Sequence, residues 1–226
     1  MLHPMITKEA LRFLDQLKRN NNRDWFSEKK EEYQKHRQQV KGFFTLVRER
    51  LEVNDKIEKL KMFRIYRDVR FSKDKTPYQP HFSAAFIRQG AERRGTYYIR
   101  VKPGETLIGG GFWGPEKQDL FRIRKEFETD ASELRDIIGN IEFQQVWGEL
   151  QGDAVKTAPK GFDKTHPNID LIRRKQFLFK RDFKDGEVLS VDFLDEIDRS
   201  FKVIRPYFDL MSDILTTNLN GESVLR

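Results

Sequence analysis

The residues best suited to chemistry lie in one run, Arg64-Ile65-Tyr66-Arg67-Asp68-Val69-Arg70-Phe71-Ser72-Lys73-Asp74-Lys75-Thr76-Pro77-Tyr78. Guanidinium forks grip phosphate or carboxylate through two hydrogen bonds at once, and lysine adds a mobile point charge. Read with a period of two, Phe63, Ile65, Val69 and Phe71 line one side of a strand. Arg64, Tyr66, Asp68, Arg70 and Ser72 then line the other, with next neighbours roughly 6–7 Å apart. Arg67 falls on the apolar side and breaks the pattern, which calls for a paired charge, a bulge or an early strand end. The expected ligand set is Arg64, Tyr66, Arg67, Arg70, Ser72, Lys73 and Lys75. Its expected partner is a polyanion, either nucleic acid or a phosphorylated small molecule. A rival reading uses the same residues: Asp68 and Asp74 neutralise the bases, and the segment is an internal ion-pair network.

Proton-handling groups near such a row make an enzyme the second hypothesis. Asp68, His81 and His166 are its catalytic candidates, acting on a phosphorylated or carboxylated substrate held by the arginines. A third hypothesis is an interaction module whose basic face docks an acidic protein. The run Gly109-Gly110-Gly111-Phe112-Trp113-Gly114-Pro115, with Arg122 and Arg124 after it, is a second place where backbone amides can approach an anion. It matches neither a phosphate-binding loop nor a dinucleotide fingerprint, and glycine there equally permits a tight bend. His3, His36, His81 and His166 show no metal-ligand spacing, so no metal and no cofactor is expected. A Gly-x-Ser-x-Gly elbow is missing too. Trp25 reads as a core residue rather than a base-stacking surface.

Charge distribution supports the emphasis on the first run. Between Lys61 and Arg100 stand ten bases and only three acids, Asp68, Asp74 and Glu92, so this window carries the whole formal charge of +7. A localised positive field steers polyanions toward it.

The elements that must position these groups can be read from periodicity. Thr7 caps a helix over Lys8 to Leu17 with Ala10, Leu11, Leu14 and Leu17 on one face. Asn20-Asn21-Asn22 breaks it and caps the segment after it. A long helix then carries Val40, Phe44, Val47 and Leu51, and Val53-Asn54-Asp55 ends it. Strands are expected over Phe63 to Phe71, His81 to Ile87, Gly95 to Val101 and Thr106 to Ile108. The intervening Lys73 to Pro80 forms a loop, because Pro77 and Pro80 cannot donate to a ladder. Connections this short require antiparallel pairing. Helices return at Pro115 to Phe127, at Ala131 to Ile138 with Asp130 and Glu133 as a capping pair, and around Phe143, Val146 and Trp147. Phe177 to Phe179 reads as a late strand. Ser190 caps a final helix bearing Phe193, Ile197, Phe201, Ile204, Phe208, Met211 and Leu215, which Pro206 must kink or divide. The fold class is therefore α+β: one domain, a mainly antiparallel sheet of about four or more strands over roughly 61–113, packed by N-terminal and C-terminal helices.

Composition fits a folded chain. Nineteen Phe, six Tyr and three Trp among 226 residues concentrate apolar area in large rings, each burying on the order of 150–250 Å². Without cysteine there are no disulfides, thiolate metal sites or cysteine nucleophiles. No signal-like leader and no apolar run near the length of a membrane span is apparent, so a cytoplasmic protein without membrane contact is the expectation.

Several of these runs together resemble a family catalogued as domain of unknown function 2461. The resemblance rests on Asn21-Asn22-Arg23-Asp24-Trp25-Phe26, on the Arg64 to Tyr78 run, on Gly109-Gly110-Gly111-Phe112-Trp113, and on the Gly161-Phe162 and His166-Pro167 pairs. It extends over nearly the whole chain and implies a single cytosolic domain. The family has no assigned activity, so the resemblance supplies no catalytic residue.

Overall fold

A computed structural model describes residues 5–218 and 222–225; His3 lies outside the described residues. The chain opens with α1 (Lys8–Arg19), where the Thr7 hydroxyl accepts from the Ala10 amide at 3.3 Å. Ala10, Leu11, Leu14 and Leu17 are buried as the spacing requires, together with Phe13. Asn22 caps a separate short α2 (Arg23–Glu28) by accepting from the Trp25 amide, and α3 (Lys30–Glu52) follows with Val40, Phe44, Val47 and Leu51 buried.

The strands are β1 (Ile57–Met62), β2 (Phe82–Arg88), β3 (Thr96–Val101), β4 (Thr106–Phe112) and, much later, β5 (Phe177–Phe183). They form one antiparallel sheet in the order β1-β2-β3-β4-β5 among the described residues, which leaves β1 and β5 at its edges. Within β1 only Ile57 is buried, while Glu58, Lys59 and Lys61 are exposed.

The strand expected over Phe63 to Phe71 does not form: β1 ends at Met62, and residues 63–81 are irregular apart from a single bridge between Tyr66 and Tyr78. Side chains of Asp68, Asp74 and Thr76 bond locally to backbone and side chains of this segment and so compete with ladder formation. Arg64, Tyr66, Asp68, Arg70 and Ser72 therefore do not form a row on one strand face. The helix expected from Pro115 starts later, as α4 (Lys117–Thr129).

Helices α5 (Ser132–Gly139) and α6 (Ile141–Trp147) come next, Asn140 capping α6 by accepting from the Glu142 and Phe143 amides. Asp130 accepts from Ser132 rather than pairing with Glu133 across the cap. Short turns α7 (Ile169–Ile172) and α8 (Asp185–Val188) flank β5. Pro206 divides the last helical stretch into α9 (Phe193–Val203) and α10 (Arg205–Thr216), as its missing N–H demands.

The chain forms two compact units whose boundaries fall inside β2, β3, β4, β5 and α9. One comprises residues up to 86, 98–108 and 182–198. In it Phe13, Phe26, Tyr33 and Phe82 make a chain of ring contacts, and Phe43 and Phe183 pack on Phe193. The other comprises 87–97, 109–181 and the chain from 199. Its centre is aromatic: Tyr97 meets Phe201 and Phe208, Phe179 meets Phe143 and Tyr207, and the Trp147 indole donates to the Ser200 carbonyl at 2.9 Å. Each fully buried side chain of this size contributes about 1.5–3 kcal/mol. Arg88 is buried there, donating to Asp209 at 3.0 Å and to the Arg94 carbonyl at 2.7 Å, so its charge is paired. No described helix is long and apolar enough to cross a membrane.

Candidate functional site

The basic segment is a loop closed at its neck. Arg67 N donates to the Pro77 carbonyl at 2.9 Å, and Gln79 N donates to the Ile65 carbonyl at 2.7 Å. Buried Ile65 and Tyr78 anchor this neck, and the Phe26 ring stacks on Tyr78 at 4.1 Å. Asn21, just before α2, fixes the neck from outside. Its side chain both donates to the Tyr78 carbonyl and accepts from the Tyr78 amide, each at 3.0 Å.

Inside the loop Arg67 is the hub. Its guanidinium donates to the Asp74 carboxylate, to Thr76 Oγ1 at 3.0 Å and to Ser72 Oγ at 3.5 Å. The amide of Thr76, then its hydroxyl, then Arg67 hold the Asp74 carboxyl down to about 2. Arg70 pairs with Asp68 through Nε at 2.9 Å, and this pairing lowers the Asp68 carboxyl below its ordinary range. Lys75 Nζ reaches the Val69 carbonyl at 3.0 Å. The placement of the expected ligand set is thus divided. Arg67, Ser72 and Asp74 build the loop's interior, Arg70 is paired with Asp68, and Arg64 and Lys73 are exposed with no ion pair among the described residues.

The loop also exposes rings. Phe71 is 97% exposed and Tyr66 50%, so the apolar face expected of Phe71 does not exist. Five cations against two carboxylates between Arg64 and Lys75 leave the loop a net charge of +3.

Of the proton-handling candidates, Asp68 lies in the loop, while His81 and His166 lie outside it. Burial, and then the charges of Arg100 and Lys102, push His81 down to about 4, so it is neutral near pH 7. The charges acting on it come from these residues and Glu105, not from the loop. In the second unit His166 Nδ1 accepts from the Asn168 amide at 3.1 Å, beside the start of α7. Asp68 is occupied by Arg70.

The glycine run serves packing. A Cβ on Gly110 would lie 2.7 Å from Ile204 Cδ1, and one on Gly111, whose φ is +137°, would overlap the Phe177 carbonyl oxygen. Arg122 and Arg124 donate to the carbonyls of Leu215 and Arg174. An open cleft of about 490 Å³ lies at the end of the run, lined by Arg94, Thr96, Trp113, Glu116 and Asp119 among others. Its arginine is paired with Asp119, and no residue of the basic loop lines it. Trp25 packs on Phe13 at 5.9 Å but is only half-buried, short of the core position expected of it. No group of three or more acidic or histidine side chains able to hold a metal occurs among the described residues.

Some features leave little mark in the order of residues. Asn21 reads as a helix breaker, because its partner lies 57 positions away. Phe63 and Phe71 read as core residues, because alternation alone does not say whether a strand forms. Phe63 is in fact 39% exposed.

Residues 9–210 match a family described as "Conserved hypothetical protein (DUF2461)". No curated protein and no solved structure matches the chain.

Proposed function

Since the chain belongs to the DUF2461 family, whose description assigns no reaction, we propose from its side chains that it binds polyanions through the loop Arg64 to Lys75. The observation that carries this reading is the pairing pattern within the loop. Asp68 and Asp74 restrain Arg70 and Arg67, while Arg64 and Lys73 are exposed with no ion pair among the described residues, and the ring of Phe71 is bare. Restrained arginines keep their positive charge and fix the loop's shape. The exposed cations and ring then meet a ligand without first breaking an ion pair. Such a surface suits a long anion that tracks along it, and contacts to successive phosphates make affinity fall steeply with salt.

The test is titration of a fluorescent oligonucleotide and of heparin at low and moderate salt. Arg64→Ala combined with Lys73→Ala is expected to weaken both at least about tenfold and to flatten the salt dependence by roughly one counterion per lost contact. No binding at low salt, or binding indifferent to the double substitution, overturns the reading.

A further inference from the structure

The face of the sheet next to this loop carries a second set of rings and cations. On β3, Ile99 and Val101 point into the core, so Tyr98 and Arg100 occupy the opposite face, where both are only half-buried. Phe63 follows β1 and continues its pairing by one rung, its amide donating to the Ser83 carbonyl at 2.9 Å. Its ring meets Tyr98 edge to face, with centroids 6.2 Å apart at 60°. Lys61, two residues earlier, places Nζ 5.3 Å from the Phe63 centroid.

Beyond Tyr98 the charge continues. Arg100 donates through Nη2 to the Glu105 carbonyl at 3.1 Å, while its Nε is buried without a hydrogen-bond partner among the described residues. Lys102 pairs with Glu105 at 2.6 Å, and Lys18 also acts on that carboxylate. Lys102, Arg100 and Lys18 thus all act on Glu105. His81 adds no charge at neutral pH, since burial and the charges of Arg100 and Lys102 hold it neutral.

We propose that this open sheet face is a stacking platform for single-stranded nucleic acid, with Phe63 and Tyr98 receiving bases and Lys61, Arg100 and Lys102 receiving phosphates. Every base offers a π face, and ring-on-base stacking tolerates any sequence. A duplex hides those faces, so the platform discriminates against it. Phe63 is joined directly to Arg64, and a strand leaving the rings runs onto the cations of the loop. Charge complementarity selects an anionic occupant; the two solvent-facing rings select one with bases.

This inference rests on the polyanion reading of the loop, and the experiment separates the two. Fluorescence anisotropy is measured with oligothymidylate, with a duplex of equal length, with heparin and with anionic phosphatidylserine vesicles. The wild type is expected to bind the single strand at least about tenfold more tightly than the duplex. Phe63→Leu with Tyr98→Leu is expected to weaken the single strand by about 10- to 100-fold and to leave heparin unchanged. Arg100→Gln should reduce the slope of log affinity against log salt by about 0.7. Tyr98→Phe, which keeps the ring, should bind as the wild type does and guards against a folding artefact. Equal affinity for duplex and single strand, or equal losses for heparin and oligonucleotide in the double variant, overturns the platform and leaves the loop reading standing. Binding to vesicles without binding to oligonucleotide also overturns it. If neither heparin nor oligonucleotide binds at low salt, the loop reading falls and takes the platform with it.

Discussion

Asn21 pairs with the backbone of Tyr78 as a neighbouring strand would, donating to its carbonyl and accepting from its amide at 3.0 Å each. One side chain thereby replaces two ladder bonds that the loop neck lacks. Asn21→Ala leaves both backbone groups of a buried residue unpaired and should cost about 1–3 kcal/mol. Chemical denaturation measures that loss, and hydrogen exchange should show faster opening at Tyr78 before the chain unfolds globally. Unchanged exchange there would mean that the neck is held by something else.

Acid should reach the loop late. The Asp74 carboxyl is held at about 2 against an ordinary 3.8, first by the Thr76 amide and hydroxyl and then by Arg67. A depressed carboxyl contributes its stabilisation fully above the ordinary value and loses it as pH falls through about 2. The carbon resonance of this carboxyl should therefore titrate near 2 and move upward in Thr76→Ala. A midpoint near 3.8 in the wild type would show that the loop is not closed in solution.

His81 acts in the opposite sense. Unfolded, it takes a proton near 6.5; folded, burial and the neighbouring Arg100 and Lys102 delay that to about 4. Between those values the unfolded chain binds a proton that the folded chain refuses, so stability falls as pH drops from 6.5 to 4 and levels off below. Substituting His81→Gln should make the decline in denaturation midpoint shallower. A residual slope is expected from His36, whose burial also lowers its pKa. Identical slopes for wild type and variant would refute the assignment.

Glycines only three positions apart should respond very differently to alanine. At Gly111 the added carbon runs into the Phe177 carbonyl oxygen in a backbone conformation with φ of +137°, and a loss of about 2–4 kcal/mol is expected. At Gly114 nothing lies within 4 Å, and the change should stay within about 0.5 kcal/mol. Thermal melting of the two variants side by side checks this, and comparable losses would argue against close packing of β4 on β5.

Helices were the most legible part of the chain, because their caps and apolar spacings are local. Thr7, Asn22 and Pro206 each sit where their chemistry places them. The middle strands and the antiparallel pairing were legible for the same reason, their connections being short. The basic segment was not. Its alternation from Phe63 to Phe71 imitates a strand, yet Arg67 in the wrong phase was the real signal. A guanidinium bound to Asp74, Thr76 and Ser72 has no place in a ladder. The ion-pair reading describes part of that segment, since Arg67 and Arg70 are paired internally while Arg64 and Lys73 have no ion pair among the described residues. The Phe63 and Tyr98 contact was hidden because it joins residues 35 positions apart, across the intervening β2.

The position of β1 at the sheet's edge has a consequence for how copies of this chain treat one another. An edge strand offers a row of unpaired amides and carbonyls, an invitation to add a foreign strand and begin a fibril. The middle of β1 reads Glu58-Lys59-Leu60-Lys61, and its three charges are exposed. A second strand adding there would have to strip water from these charges. The charges beside the proposed platform thus also make this edge a poor template for a further strand.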